Sequence, residues 1–171
     1  LDFIDQVHLL GRKDPMGEED AAGRDFRSLE KALDRLLDEI HSELCSLRKD
    51  VLIEFRQFYS GPSIRQHCNI LRAQDCPGDE FQNRMRTVDL RLTAAPAAVH
   101  ADMMTWHPAE KVPVILRQLL NTLFSVPQIS VRLADAPEEV RRALAGYLNF
   151  TQEYRELLQK GRLSASHPEH C

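Results

Sequence analysis

The chain has 171 residues, a hydrophobic content of 43% and a formal net charge of -4. That size buries one ordinary core, and the mildly acidic balance excludes the basic face of a nucleic-acid binder; the local cluster of Arg84, Arg86 and Arg91 lies among acids. No apolar run approaches the roughly 20 residues that span a bilayer, so no membrane partner is expected.

The first ten residues, LDFIDQVHLL, lack a basic leader and a small-residue cleavage site, so they are not a signal peptide. Residues 1–4 read as a strand entered without an initiator Met, which predicts a truncated chain. Gly11, Pro15, Gly17 and Gly23 mark a loop. Leu29, Leu33, Leu36, Leu37, Ile40, Leu44 and Leu47 then recur at spacings of three and four, which places them on one helix face, with Asp25 as its cap. Residues 51–55, VLIEF, form an apolar run suited to a strand buried on both faces. FYSGPS follows as a loop broken by Gly61 and Pro62. The next strand is expected at 69–73, then a turn with Pro77 and Gly78, a helix over 79–92 and a strand over 97–102. A helix over 112–124 tolerates Pro113 only in its first turn. A last strand is expected at 128–133. Asp135-Ala-Pro-Glu138 signals a helix start, and that helix should run to Leu158 and stop at Gly161. The chain thus divides into a domain over 1–160 and a tail over 161–171. Cys45, Cys68, Cys76 and Cys171 form no CxxC pair and no zinc pattern, which suits reduced thiols in a cytoplasmic protein; a Cys68–Cys76 disulfide stays open.

Strands alternating with helices predict an α/β fold with a parallel sheet. About five strands are legible, and a closed (β/α)₈ barrel takes eight, so a partial barrel and a small doubly wound sheet both fit. Each expected strand ends in polar residues: Asp2 and Asp5; Glu54, Arg56 and Gln57; Arg72, Gln74 and Asp75; His100 and Asp102, with Trp106 and His107 beyond; Ser130 and Arg132. In parallel sheets the C-terminal strand ends form the active-site face. Two carboxylates from different strands are the minimal apparatus of glycoside hydrolysis, and Asp2, Asp5, Glu54, Asp75 and Asp102 are all candidates by position. The other reading pairs these acids with Arg56, Arg72 and Arg132 as an ion network.

GxGxxG, GxxxxGK[ST] and GxSxG are absent, so neither a nucleotide fold nor a serine-hydrolase elbow is indicated. His100, Asp102 and His107 share one segment without a recognisable metal spacing; substrate binding is the reading preferred for them, and no metal or other cofactor is expected. Trp106 is either a platform for a sugar ring or a cap on the core.

The series LDFID, EFRQFYSGPSIR, ILRAQDCPGDE, VHADMMTWH and LFSVPQISVRL resembles the bacterial α-galactosidases of glycoside hydrolase family thirty-six, the melibiase group, from residue 1 to about residue 168. The resemblance implies the C-terminal half of a catalytic barrel, about strands four to eight. Leu1-Asp2-Phe3 is similar to the end of the family's Lys-x-Asp motif, which makes Asp2 the nucleophile. Arg72-Ala73-Gln74-Asp75 is similar in position to the family's Trp-x-Ser-Asp segment, which makes Asp75 the acid/base, with Asp79 matching a following acid. Residues 56–65, with Arg56, Ser60, Gly61 and Arg65, resemble a loop that lines the sugar site. Arg72, His100, Asp102 and Trp106 complete the expected substrate contacts. Arg56 stands where the family has Cys and Arg72 where it has Trp, so a sugar other than α-galactose is open. The implied partner is a carbohydrate substrate; the oligomeric state is not indicated. A non-catalytic sugar-binding or structural module, or an inactive fragment, is the alternative.

Overall fold

The computed structural model describes residues 25, 26, 28–56, 60–94, 96–164 and 166. The strand expected at 1–4, with Asp2 and Asp5, and the following loop lie outside the described residues, as do Gln57 and Cys171.

Helix α1, Leu29–Leu47, is capped by Ser28, not by Asp25. The Ser28 hydroxyl accepts a hydrogen bond from the Lys31 amide at 3.4 Å, the reach of a cap residue to its third helical N–H. Only part of the leucine stripe is covered: Leu37 is buried, while Leu47 is 75% exposed. The run at 51–55 yields a two-residue strand, β1 (Glu54–Phe55). The Asn69 amide explains the shortfall. Its Oδ1 accepts from Ile53 N–H at 2.9 Å and its Nδ2 donates to Val51 O at 2.8 Å, so a side chain takes the bonds that a ladder would make.

A short helix, α2 (Pro62–Arg65), occupies the stretch expected as loop, with Pro62 in its first turn. Strand β2 is Ile70–Arg72, and helix α3 is Glu80–Thr93, where Asp79 caps by accepting from Gln82 N–H at 3.0 Å. Strand β3, Ala98–Met104, runs two residues past its expected end, and helix α4, Val112–Asn121, stops three residues short. Strand β4 is Val126–Ile129 rather than 128–133. Its ladder to β3 starts at Val126 and ends at Ile129. Pro127 is tolerated because β4 is an edge among the described strands. Asp135 sits in a 3₁₀ turn, Leu133–Asp135, and pairs with Arg132 at 3.3 Å, so helix α5, Glu138–Glu153, starts later than expected. A π-helical turn, Glu156–Lys160, then carries the chain to Gly161.

The four strands form one parallel sheet in the order β1-β2-β3-β4. The order has no reversal, the feature a doubly wound sheet requires. Helix α3 packs on β2 and β3, and α4 packs between α3 and α5. Two apolar clusters fill this side. Leu71, Ala94 and Val99 pack with Phe55 and Leu90; Met104, Ile115, Leu119, Val140, Leu144 and Tyr147 pack with Trp106 and Ile129.

Candidate functional site

Parallel register places alternate residues of neighbouring strands on one face. Leu71 and Val99 are partners and face the helices. Arg72 and His100 are the next partners and face away. An irregularity between His100 and Met103 lets β4 rejoin the ladder at Met103↔Gln128, which brings Gln128 to the same side.

There, one polar side chain from each strand meets the others. His100 Nδ1 lies 2.5 Å from Glu54 Oε2. Gln128 Nε2 donates to the same oxygen at 3.4 Å and stands 3.1 Å from His100 Nδ1. The Arg72 guanidinium faces three acids: Asp75 Oδ1 accepts from Nη2 at 3.2 Å, Glu54 Oε1 lies 3.9 Å from Nε, and Asp102 Oδ1 lies 4.0 Å from Nη1. Arg56 Nη1 reaches both Asp75 oxygens at 2.7 Å. Acids and cations therefore alternate across this face through Arg56 and Arg72, with the Asp75 side chain still 62% exposed; Arg132, expected in the same network, pairs with Asp135 instead.

The loop that carries Asp75 is held from below. Arg86 Nη1 donates to Asp75 O at 3.2 Å, and the next amide, Cys76 N–H, donates to Asp102 Oδ2 at 2.5 Å. Gly78, at φ 78°, turns the chain toward α3, a backbone conformation that favours glycine. Burial, reinforced by the Asp102 charge, pushes the Cys76 thiol up to about 11. Burial likewise pushes the Cys68 thiol up to about 11. Cys45, Cys68 and Cys76 are free, so no Cys68–Cys76 disulfide forms.

Of the residues expected at the site, Arg56, Arg72, Asp75, His100 and Asp102 are brought together. Ser60 and Arg65 are not. The Ser60 hydroxyl lies 3.1 Å from that of Thr93, and Arg65 donates to Thr93 O. Thr93 ends α3, whose 14 residues span about 20 Å from the Asp75 side. Gly61 caps α2 beside them. Trp106 packs against the α4–α5 core cluster and lines a cavity of about 280 Å³ with Thr105, Ser130 and Arg132. His107 Nδ1 accepts from Ala109 N–H at 3.1 Å. Among the described residues no group of three or more His, Cys, Asp or Glu side chains could hold a metal ion.

Sequence reasoning missed Gln128, Asn83 and Arg86. Gln128 was legible as a polar residue at the start of an expected strand. Asn83 and Arg86 sit within an amphipathic helix, where nothing marks an inward-facing polar side chain as bound to a loop. Compared with family models, curated proteins and solved structures, the chain matches none of them.

Proposed function

We propose that the chain is part of a retaining glycoside hydrolase of the α-galactosidase type, with Asp75 as acid/base and Asp2 as nucleophile. The observation that carries this reading is the cluster of Glu54, Arg72, His100 and Gln128 on the open face of the sheet, joined by Arg56 and Asp75 just beyond the C-terminal ends of β1 and β2. Sugars present many hydroxyls, each donor and acceptor at once, and alternating carboxylates and cations offer partners of both kinds. The unreversed strand order suits a segment of a (β/α)₈ barrel, whose chemistry lies at this end of the strands. The assignment of Asp2, outside the described residues, rests on the family resemblance.

In the first step the Asp2 carboxylate attacks the anomeric carbon, the glycosidic C–O bond breaks, and the Asp75 carboxyl gives its proton to the leaving oxygen. In the second, Asp75 takes a proton from water, whose oxygen attacks the anomeric carbon and releases Asp2. The test uses the full-length protein and aryl α-galactosides with good and poor leaving groups. Asp75→Asn should lose on the order of 100-fold or more in turnover on the poor leaving group and much less on the good one. Near-normal turnover on the poor leaving group would refute the acid/base role.

A second reading is a non-catalytic sugar-binding face. The seating of both Asp75 oxygens on Arg56 favours it, because an acid must first hold a proton. It requires an unsubstituted protein that binds galactosides without hydrolysing them.

A further inference from the structure

We infer that Asp102 is a positioning residue: it fixes the peptide plane that presents Asp75 and does not touch the sugar. The inference takes the role of Asp75 from the hydrolase reading, and the role of Asp102 from geometry alone.

Asp102 lies in β3 and is 0% exposed. A carboxylate so placed is costly unless hydrogen bonds and cations compensate it. Its Oδ2 accepts from Cys76 N–H at 2.5 Å. Its Oδ1 has no hydrogen-bond partner among the described residues and lies 4.0 Å from Arg72 Nη1. A group with no exposed surface offers a ligand nothing to touch. What it does hold is the one amide that follows Asp75. The carbonyl of that same peptide, Asp75 O, is held by Arg86 Nη1 at 3.2 Å. The Asp75–Cys76 peptide is thus gripped by a side chain on each of its polar atoms. Its plane sets ψ of Asp75, and ψ sets the relation of the Asp75 side chain to the turn that follows.

The grip is itself anchored. Asn83 donates from Nδ2 to Asp102 O and accepts from Asp102 N–H on Oδ1, both at 3.0 Å, so a helix amide pairs with the strand as a second strand would. Asn83 and Arg86 stand three apart on α3, on one face. Arg72 closes the frame, binding the Asp75 carboxylate through Nη2 while Nη1 faces Asp102. The frame therefore joins β2, α3 and β3 beneath a single exposed carboxyl.

The experiment compares Asp102→Ala and Asp102→Asn with the unsubstituted full-length protein. Amide hydrogen exchange at Cys76 should quicken by about tenfold or more in Asp102→Ala, as one buried hydrogen bond is lost, while amides of α4 and α5 keep their rates. On a galactoside with a poor leaving group, kcat should fall by about 100-fold, the cost of misplacing a catalytic group, with KM within twofold. Unchanged Cys76 exchange overturns the inference, and so does a raised KM with kcat intact, which would mean that Asp102 meets substrate. Asp102→Asn keeps an acceptor and the Asn83 clamp but loses the charge; it should move both readouts in the same direction by less, and it decides the matter if Asp102→Ala does not fold. Should Asp75→Asn show no leaving-group dependence, the hydrolase reading fails, and the exchange measurement still decides what Asp102 does.

Discussion

On the helix-packed face of the sheet Leu71, Val99 and Met104 are buried among other apolar side chains, whereas on the opposite face Glu54, Arg72, His100 and Gln128 keep part of their surface open and bind one another. The first face gains free energy for every apolar area removed from water. The second exchanges bonds to water for bonds within the protein, at a small net gain. Substitutions on the two faces should therefore separate: those on the helix side should cost stability, and those on the polar side should cost little stability and, on the function proposed above, much activity.

The largest stability effect is expected at Leu119, at 0% exposure in the cluster between α4 and α5. Leu119→Ala should cost about 3 kcal/mol in urea unfolding, from lost transfer energy and the cavity left behind. A cost below about 1 kcal/mol would mean that this face is packed no better than the other.

Next comes Tyr147 in the same cluster, whose hydroxyl donates to Leu119 O at 3.0 Å. Burial pushes its phenol from 10.0 up to about 12. The folded value is raised, so the unfolded chain loses this proton first. The stability it supports is complete below pH 10 and is lost as pH rises through 12, a change on the order of 2 kcal/mol. Unfolding midpoints followed from pH 9 upward should fall, and Tyr147→Phe should flatten that fall.

A smaller loss, about 1 kcal/mol, is expected for Gly78→Ala. Space is not the obstacle, since a Cβ there would meet Thr105 Oγ1 at an ordinary 3.7 Å; the positive φ is. If Asp75 is the acid/base proposed above, turnover should fall with it, because Gly78 shapes the turn beneath Asp75. Thermal unfolding and kinetics on one preparation check both.

The same contrast explains what could be read in advance. Apolar periodicity marks a face that must leave water, so α1, α3, α4 and α5 and the run of β3 were legible from their leucines, valines and methionines. The ends of elements were less so, because they depend on single partners: Ser28 caps α1 in place of Asp25, Asn69 shortens β1, and the register with β3 moves β4 upstream. At the site, the strand-end acids and arginines were legible as a class. Which of them meet was not, since Glu54, His100 and Gln128 are joined only by the fold. Asp102 is the sharpest case: its position suggested a substrate contact, and only its burial and the Cys76 amide reveal what it holds.

On the polar face, His100→Gln should lose less than about 1 kcal/mol, because a partly open pair is screened by water. If this face binds sugar, kcat/KM should nevertheless fall by about tenfold or more, the value of one hydrogen bond to a charged group. A loss of stability with turnover untouched would reverse the division between the faces.

The smallest effect should come from Gly61, which the family resemblance puts beside the sugar and the fold puts at the far end of α3. Its φ of -61° suits any L residue, and a Cβ would meet nothing within 4 Å. Alanine restricts the unfolded chain without straining the folded one, so Gly61→Ala should raise stability by about 0.5 kcal/mol. Turnover should stay unchanged, because Ser60 and Arg65 on either side are engaged with Thr93 rather than with Asp75. A drop in kcat/KM with stability gained would mean that this loop does meet the substrate, and that the polar face extends to both ends of the sheet.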